Sequence, residues 1–413
     1  MPQNQLNIDY VRSCFPTFQE PLAAKTAFFE NAGGSYVAGA VLDRLMHFYR
    51  VNKVQPYGAS EILNTAGEQM DAGRQTMADL LGIDTNDLTL GASTTQNFNT
   101  LASACEGLLT KNSEVIVTDQ DHEANIGTWE RLCQRTGATL RVWKINPETA
   151  ELDLTQFEKL LNNNTAIVCM THSSNIVGTI NPVEQVIALC RPNGTRVAVD
   201  GVSYAPHQWP DIPELAPDAY CFSTYKTYAT HMGVMFTSAD FRAELTPQCH
   251  YFNRGYGHKT LDSTGPDHAS IAALAGLGEY FSESHQHHFG KNDLSLYEQA
   301  KQISALMHAH ESELCTRLLD GIAGLPLQII GRSNTEGREA NIALTSSTRT
   351  SAEMSEYLAK ANIAAGHGHF YALRLLEKAG IKDTDDGVLR ISFAHYNNHD
   401  DVDRVVNALK ECH

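Results

Sequence analysis

A lysine stands between two apolar stretches of the chain, where a charged amine is unexpected. Lys226 lies in "FSTYKTYATHMGVMF" (222–236), which otherwise has the pattern of two buried strands joined by a turn. Because an ammonium group loses hydration on burial, a lysine here needs a route to solvent or a chemical role. Asp200 ends another apolar run, "RVAVD" (196–200), 26 residues earlier. At one edge of a sheet, the two residues could supply a nucleophilic amine and a carboxylate partner for a bound cation.

Pyridoxal phosphate is a cofactor whose chemistry uses such a pair together with an anion site. A lysine bonds to its aldehyde, a carboxylate keeps its ring nitrogen protonated, and donors at a helix start bind its phosphate. "GASTTQNFN" (91–99) follows an apolar run and precedes a helical pattern, which places Thr94, Thr95 and backbone N–H groups at a helix start. Ser223 would add a hydroxyl just before the lysine. The sequence therefore contains a candidate for each part of the cofactor site.

Two further loops could contact the cofactor ring. "TDQDHEANIGTWE" (118–130) presents His122 after an apolar run, where its imidazole could lie flat on the pyridine face. "THSSNIVGT" (171–179) brings Asn175 to another strand end, where its amide could reach the ring oxygen. Ligands of parallel sheets bind beyond the carboxyl ends of the strands, so both motifs indicate the same edge of one sheet.

The elements that must position these residues alternate through the first two thirds of the chain. Strands are predicted at 114–119, 139–144, 165–170, 196–200 and 219–223, and helices at 127–137 and 182–191. Repeated strand–helix–strand units are typical of an α/β fold, in which a mainly parallel sheet is covered on both faces.

The pattern changes after about residue 275, where long polar helices begin. Helices are predicted at 297–322 and 399–412, and "VLRISFAHY" (388–396) has the pattern of a strand. We therefore predict an N-terminal segment at 1–25 that packs on the small domain, a large cofactor-binding domain at 26–275 and a small α+β domain at 276–413.

The composition is that of an ordinary globular protein, with 42% hydrophobic and 19% charged residues in a chain of 413. A formal charge of −17 argues against nucleic acid or an anionic membrane as a partner, because both are polyanions. "MPQNQLNIDY" lacks the features of a signal peptide, so a cytoplasmic location is expected. The nine cysteines form no C-x-x-C pair, which indicates neither a disulfide framework nor a thiolate zinc site.

The motifs taken in order resemble the class V aminotransferase family of fold type I pyridoxal-phosphate enzymes, and within it the cysteine desulfurase-like or selenocysteine lyase-like branch. The resemblance runs from "FFENAGGS" (28–35) to the last helix. The other motifs that carry it are "STTQNFN", "DHEANIGTW", "THSSNIVGT", "VDGVSYAPH", "FSTYKTY" and "LRISFAHYNNHDDVDR". The resemblance implies the architecture of fold type I transferases, in which the large domain has a sheet of about seven strands. It also implies that two chains form a homodimer.

The resemblance also implies roles for individual residues. Lys226 would be the lysine that bonds to the cofactor, assisted in catalysis by His122 and Asp200. The implied cofactor-binding residues are Thr94, Thr95, His122, Asn175, Asp200, Ser203, Ser223 and Lys226. The implied substrate-binding residues are Arg390, Asn31, His367 and His369. A guanidinium such as that of Arg390 suits a substrate carboxylate, because it donates two parallel hydrogen bonds.

The chain departs from the branch at the loop that carries the persulfide-forming cysteine. The corresponding "AAGHGHFYA" (364–372) contains His367 and His369 but no thiol. Tyr225 precedes the lysine where a histidine is common, and Thr264 lies near the place of a threonine that binds phosphate from the partner subunit. Sulfur transfer through an enzyme persulfide is therefore not expected.

Two histidine-rich segments, "SHQHHFG" (284–290) and "MHAHES" (307–312), raise the question of a metal site. Neither contains a cysteine or the H-E-x-x-H spacing, so no metal is predicted and both are interpreted as solvated segments.

The leading functional hypothesis is a carbon–sulfur lyase that acts on a small amino acid or a cysteine-derived conjugate. An aminotransferase or an amino-acid epimerase remains open, because the same carbanion can be reprotonated at either carbon. A third hypothesis is a structural or regulatory protein that holds the cofactor without turnover. The intact Lys226 and Arg390 favour an enzyme, either a lyase or a transferase.

Overall fold

The computed structural model describes residues 5–263, 265 and 267–413, in which the chain forms thirteen strands and fifteen α-helices. The strands are β1 (Ala27–Phe28), β2 (Leu88–Gly91), β3 (Glu114–Thr118), β4 (Thr139–Trp143), β5 (Thr165–Thr171), β6 (Arg196–Asp200), β7 (Ala219–Ser223), β8 (Gly233–Thr237), β9 (Leu327–Ile330), β10 (Asn341–Ser346), β11 (Ile363–Ala364), β12 (Gly366–Gly368) and β13 (Val388–Ser392). The helices are α1 (Ile8–Ser13), α2 (Pro21–Lys25), α3 (Gly39–Val51), α4 (Glu61–Leu81), α5 (Thr94–Ala104), α6 (Glu123–Thr136), α7 (Leu154–Leu160), α8 (Val183–Cys190), α9 (Ile212–Leu215), α10 (Ala239–Glu244), α11 (His268–Phe289), α12 (Leu296–Ile322), α13 (Ser351–Lys360), α14 (Leu373–Lys378) and α15 (His399–Cys412).

The central sheet has seven strands in the order β2-β8-β7-β6-β5-β3-β4. The five strands from β7 to β4 run parallel, whereas β8 is antiparallel to both β7 and β2. The predicted α/β fold with a mainly parallel seven-stranded sheet is thus confirmed. The carboxyl ends of β3, β5, β6 and β7 lie at one edge of this sheet, which is where the candidate residues follow the strands.

Both faces of the sheet pack against other elements. Successive side chains of a strand point to opposite faces, so one strand contributes to the core on each side. In β6, Val197 and Val199 pack into one hydrophobic cluster and Ala198 packs into another. The second cluster includes Phe98 from α5 and Trp129 from α6, both fully buried. The two helices that begin at the carboxyl edge are therefore fixed against one face of the sheet.

A second, antiparallel sheet in the order β12-β13-β10-β9 lies in the C-terminal third of the chain. Its core includes Ile342 of β10, Ile391 of β13 and the apolar face of α15, represented by Val402. Phe29, which follows β1, packs in the same cluster, and β1 pairs in parallel with β11. The segment around residue 30 is therefore held against the C-terminal part of the chain.

Two expectations about local structure differ from what is observed, and a third concerns a residue outside the described ranges. The histidine-rich segments are solvated only in part, because His287 is exposed whereas His285 in α11 and His310 in α12 are buried. The strand predicted at 388–396 ends at Ser392, where β13 ends. Thr264 lies outside the described residues. Among the residues that the structure describes, no helix is both long and apolar enough to cross a membrane.

Candidate active site

A cleft of about 120 Å³ opens at the carboxyl edge of the central sheet, the position at which parallel sheets bind their ligands. Its walls come from the segments that follow β2, β3, β5, β6 and β7. The described lining residues are Ser93, Thr94, Thr95, His122, Ala124, Thr171, Asn175, Asp200, Val202, Ser203, Ser223, Tyr225, Lys226 and His231. All residues predicted from the sequence to bind the cofactor therefore meet in one cleft, and their roles there remain a prediction.

Lys226 ends a short 3₁₀ turn after β7 and is only 7% exposed. Its Nζ donates no hydrogen bond to a described residue. Burial and the nearby Arg390 lower the pKa of this amine to about 8, although Asp200 and Glu30 act in the opposite direction. Roughly a tenth of the amine is thus unprotonated at pH 7, far more than for an ordinary lysine with a pKa of about 10.4, and this unprotonated form is the nucleophile.

The pKa of Lys226 predicts how the apoprotein takes up pyridoxal phosphate. Only the unprotonated amine attacks the aldehyde, so the bimolecular rate should rise with pH through about 8 and then become constant. The measurement is stopped-flow absorbance of apoprotein mixed with cofactor at a series of pH values. A rate that still rises steeply near pH 10, as for an ordinary lysine with a pKa of about 10.4, would contradict the proposed environment.

Asp200 supplies the carboxylate at the end of β6. Its Oδ1 accepts a hydrogen bond from Val202 N at 2.9 Å, and its side chain lines the cleft. Burial raises the pKa of this carboxyl to about 6, while the Val202 N–H and Lys226 oppose the increase. Above pH 6 the cleft therefore contains a buried negative charge suited to a protonated ring nitrogen.

The candidate anion site lies at the start of α5. The hydroxyls of Thr94 and Ser223 are hydrogen bonded to each other at 2.7 Å, and Ser93 Oγ accepts from Gln96 N at 3.1 Å as the N-cap. Gly233 lies directly under this turn, where a Cβ would come within 2.4 Å of the Ser93 carbonyl carbon. Glycine therefore allows β8 to approach the turn whose free N–H groups and hydroxyls can bind a phosphate.

His122 is the N-cap of α6. Its Nδ1 accepts a hydrogen bond from Ala124 N at 3.1 Å, and the centre of its ring lies 5.1 Å from that of Tyr371. Burial, together with the charges of Lys226 and Arg390, lowers the pKa of the imidazole to about 4. The ring is therefore neutral at physiological pH, a state suited to stacking on a flat aromatic group.

Arg390 lies behind the wall of the cleft and not among the described residues that line it. Its Nη1 donates to the backbone oxygen of Asn175 at 3.2 Å, and its Nη2 donates to Glu30. The side-chain Nδ2 of Asn175 donates to the oxygen of Phe370 at 2.9 Å. Asn175 thus connects the cleft both to Arg390 and to the loop that contains Phe370.

The other predicted substrate residues also lie outside the main cleft. Asn31 lines a small adjoining crevice that reaches Lys226, and its Nδ2 donates to the Ser392 oxygen at 2.9 Å. His367 is exposed on β12. His369 is half-buried, and its Nδ1 accepts from Tyr371 N at 3.1 Å.

Two residues that the sequence analysis did not place in the site do contribute to it. His231 and Tyr225 line the cleft, with their rings stacked at a centroid distance of 4.6 Å. His231 lies between Lys226 and β8, so its position in the connection after the lysine was a usable signal. Glu30, which pairs with Arg390, gave no such signal because the two residues are 360 positions apart.

The residues of the cleft fit pyridoxal phosphate. A buried amine with no hydrogen-bond partner among the described residues matches an aldehyde, a buried carboxylate matches a protonated ring nitrogen, and a helix start with paired hydroxyls matches a phosphate.

Comparisons with known proteins agree with this fit. The family model described as "Aminotransferase class-V" matches residues 27–405. The aminotransferase-like protein FGM3 of Gibberella zeae is 32% identical, with 99% of each chain covered. A cysteine desulfurase of Yersinia pseudotuberculosis is 27% identical over 98% of this chain and 97% of its own length. The crystal structure of the cysteine desulfurase CsdA from Escherichia coli superposes with a TM-score of 0.83 at 23% identity, covering 99% of both chains.

Proposed function

The chain belongs to the class V aminotransferase family and is a pyridoxal-phosphate-dependent enzyme. From this membership we propose that it cleaves the carbon–sulfur bond of a small amino acid or a cysteine-derived conjugate. The observation that carries the proposal is the buried Lys226, which lies with Asp200 in a cleft at the carboxyl edge of the central sheet and has no hydrogen-bond partner among the described residues. Similarity to proteins named cysteine desulfurase favours sulfur chemistry over other reactions of the family.

Each residue of the cleft has a distinct task in this proposal. Bound pyridoxal phosphate would supply an aromatic ring that accepts negative charge from the α-carbon of the substrate. Thr94, Thr95 and Ser223 bind the phosphate, and Asp200 keeps a proton on the ring nitrogen. Lys226 Nζ takes up the α-proton, a transfer for which a pKa of about 8 is well suited near neutral pH.

The remaining cofactor contacts and the substrate contacts are also proposals. His122 offers a neutral ring face, and Asn175 and Ser203 complete the walls of the cleft. Arg390 binds the carboxylate of the substrate through its guanidinium. The further substrate residues in this proposal are Asn31, which lines the adjoining crevice, His367 on β12 and His369 in the loop after it.

The cysteines favour release of sulfur as a free product. Eight of the nine are buried, and Cys14 is half-buried. No cysteine lies among the described residues that line the cleft. Burial raises the thiol pKa of Cys14, Cys105, Cys133, Cys169, Cys190, Cys221, Cys315 and Cys412. Because the thiolate is the nucleophile, these side chains are poor acceptors of sulfur from a substrate.

With L-cysteine, the expected reaction consumes one water and yields one pyruvate, one ammonia and one sulfide. The test is to quantify these products and, during turnover, to alkylate thiols and search every cysteine for a persulfide by mass spectrometry. We expect the three products in equal amounts and no persulfide on the protein. A persulfide on any of the nine cysteines would contradict direct release, and absence of turnover with all sulfur amino acids would refute the lyase proposal.

Transamination or epimerisation is the second candidate. It is favoured by the relative named aminotransferase-like protein, which is 32% identical over nearly the whole chain. The same product assay separates the reactions: transamination gives a keto acid that retains the substrate's sulfur, whereas epimerisation gives the opposite enantiomer and releases nothing. Solvent deuterium would enter the α-position during epimerisation.

We also propose that the enzyme is a homodimer. The segment around residues 250–259 exposes Tyr251, Phe252 and Tyr256, whose exposed fractions are 80%, 64% and 58%. Neighbouring exposed aromatic side chains are typical of surfaces that another chain covers.

A further inference from the structure

The guanidinium predicted to bind the substrate's carboxylate is already paired with a carboxylate of the same chain. Glu30 follows β1, and its Oε1 accepts a hydrogen bond from Arg390 Nη2. Its Oε2 accepts from Gly366 N at 2.7 Å. A Cβ at residue 366 would lie 2.5 Å from this Oε2, so glycine gives Glu30 the room to reach Arg390.

The pairing leaves one strong donor of Arg390 unused. Nη1 donates to the Asn175 oxygen, and Nη2 donates to Glu30, but the buried Nε–H has no partner. Nε and Nη2 lie on the same edge of a guanidinium and together form the fork that binds a carboxylate with two parallel hydrogen bonds. Glu30 uses only one prong of that fork, so it is an incomplete partner for the charge.

The two members of the pair differ in their freedom to move. The Arg390 side chain is 3% exposed, and its guanidinium carbon lies 3.7 Å from the centre of the Phe370 ring, which packs against it. The Glu30 side chain is 29% exposed. Arg390 is therefore held in place by its surroundings, whereas the partly exposed Glu30 side chain has room to move toward solvent.

Resting on the lyase or transferase function proposed above, we propose that Glu30 is a specificity-determining residue that holds Arg390 until the carboxylate of an amino-acid substrate displaces it. A carboxylate that fills both prongs of the fork gains the hydrogen bond to Nε that Glu30 does not make. A neutral amide brings no charge to exchange for that of Glu30, so it cannot compete. Glu30 thereby raises the requirement for a true carboxylate in the substrate.

The competing explanation is that the ion pair is only structural and stays intact during turnover. The two accounts make opposite predictions for Glu30→Gln. If the pair is structural, losing the charge leaves Arg390 unpaired and does not help a ligand to bind. If Glu30 competes with the substrate, the same change frees Arg390 and tightens the binding of carboxylates.

The experiment measures the binding of propionate, which has a carboxylate but no amine, to the holoenzyme by calorimetry and by the shift in Tm. In Glu30→Gln we expect a propionate Kd about tenfold lower than in the parent, because one competing charged hydrogen bond is removed. Propionamide should bind weakly to both proteins. The melting temperature of the variant should be lower without ligand and should rise more with propionate than that of the parent.

Two further variants make the result specific. Glu123→Gln removes a carboxylate near the cleft that pairs instead with Arg374 at 3.1 Å, and it should leave the propionate Kd unchanged. Glu30→Asp keeps the charge but shortens the side chain, and we expect a smaller decrease in Kd even if Glu30→Gln folds poorly. An unchanged or higher Kd in the Glu30 variants would overturn the proposal. Because no turnover is needed, this outcome is distinct from a failure of the product assay.

Discussion

Replacing Lys226 with alanine is expected to lower kcat/KM by at least about 10³-fold, because we propose that this side chain is both the amine that bonds to the cofactor and the general base. The change removes the only lysine among the described residues that line the cleft. The protein should still fold, since Lys226 Nζ makes no hydrogen bond to a described residue whose loss would destabilise it. Steady-state kinetics and the visible absorbance of the bound cofactor measure the two effects.

The control for this variant is Lys382→Ala, which removes an exposed lysine. It should retain parental kinetics and the absorbance of the lysine-bound cofactor. Added methylamine should restore part of the proton transfer in the alanine variant, because a small amine can enter the space that the side chain vacates. Parental activity in Lys226→Ala would show that another group performs the chemistry.

Asp200→Asn is expected to lower kcat by about 10²-fold or more while most of the cofactor stays bound. The amide has nearly the shape of the carboxylate but no negative charge to keep the ring nitrogen protonated, so the ring accepts electrons less well. Cofactor content and kcat should therefore separate, with kcat falling much further. If the parent and the variant had the same kcat, Asp200 would have only a structural role.

The pKa of Asp200 adds a dependence on pH to this prediction. Burial raises this pKa to about 6 in the cleft without cofactor, and a protonated ring nitrogen beside the carboxylate would lower it, so the parent should lose activity on an acid limb that lies below pH 6. Asp200→Asn has no group to titrate at this position, and its lower activity should not show the same acid limb. If activity of the variant fell at acid pH in the same way as that of the parent, the titrating group would be a residue other than Asp200.

The sequence predicted the central sheet well because its strands are short apolar runs that end at polar residues. The segments expected at 196–200 and 219–223 are strands with those bounds. Every residue of these strands except the half-buried Arg196 is buried, so the apolar pattern had no competing interpretation. The positions of Asp200 and Lys226 at one edge follow from the parallel arrangement, which the alternation of strands and helices already indicated.

The parts that the sequence did not predict depend on contacts between distant segments. The histidine-rich segments look polar when read alone, yet His310 is buried because its Nε2 pairs with the Asn397 oxygen at 2.8 Å. The contact of Glu30 with Arg390 arises because β1 joins β11 in the C-terminal part of the chain. Neither pairing leaves a periodic signal in the local sequence, so tertiary packing decides both.

The most direct test of the central claim is to identify the residue that bonds to the cofactor. The holoenzyme is reduced with borohydride, digested, and analysed by mass spectrometry for a peptide that carries the reduced cofactor. We predict a single labelled peptide with the label on Lys226, and no label in the Lys226→Ala protein treated in the same way. A label on any other lysine of the parent, or no covalent label at all, would contradict the placement of the active site in this cleft.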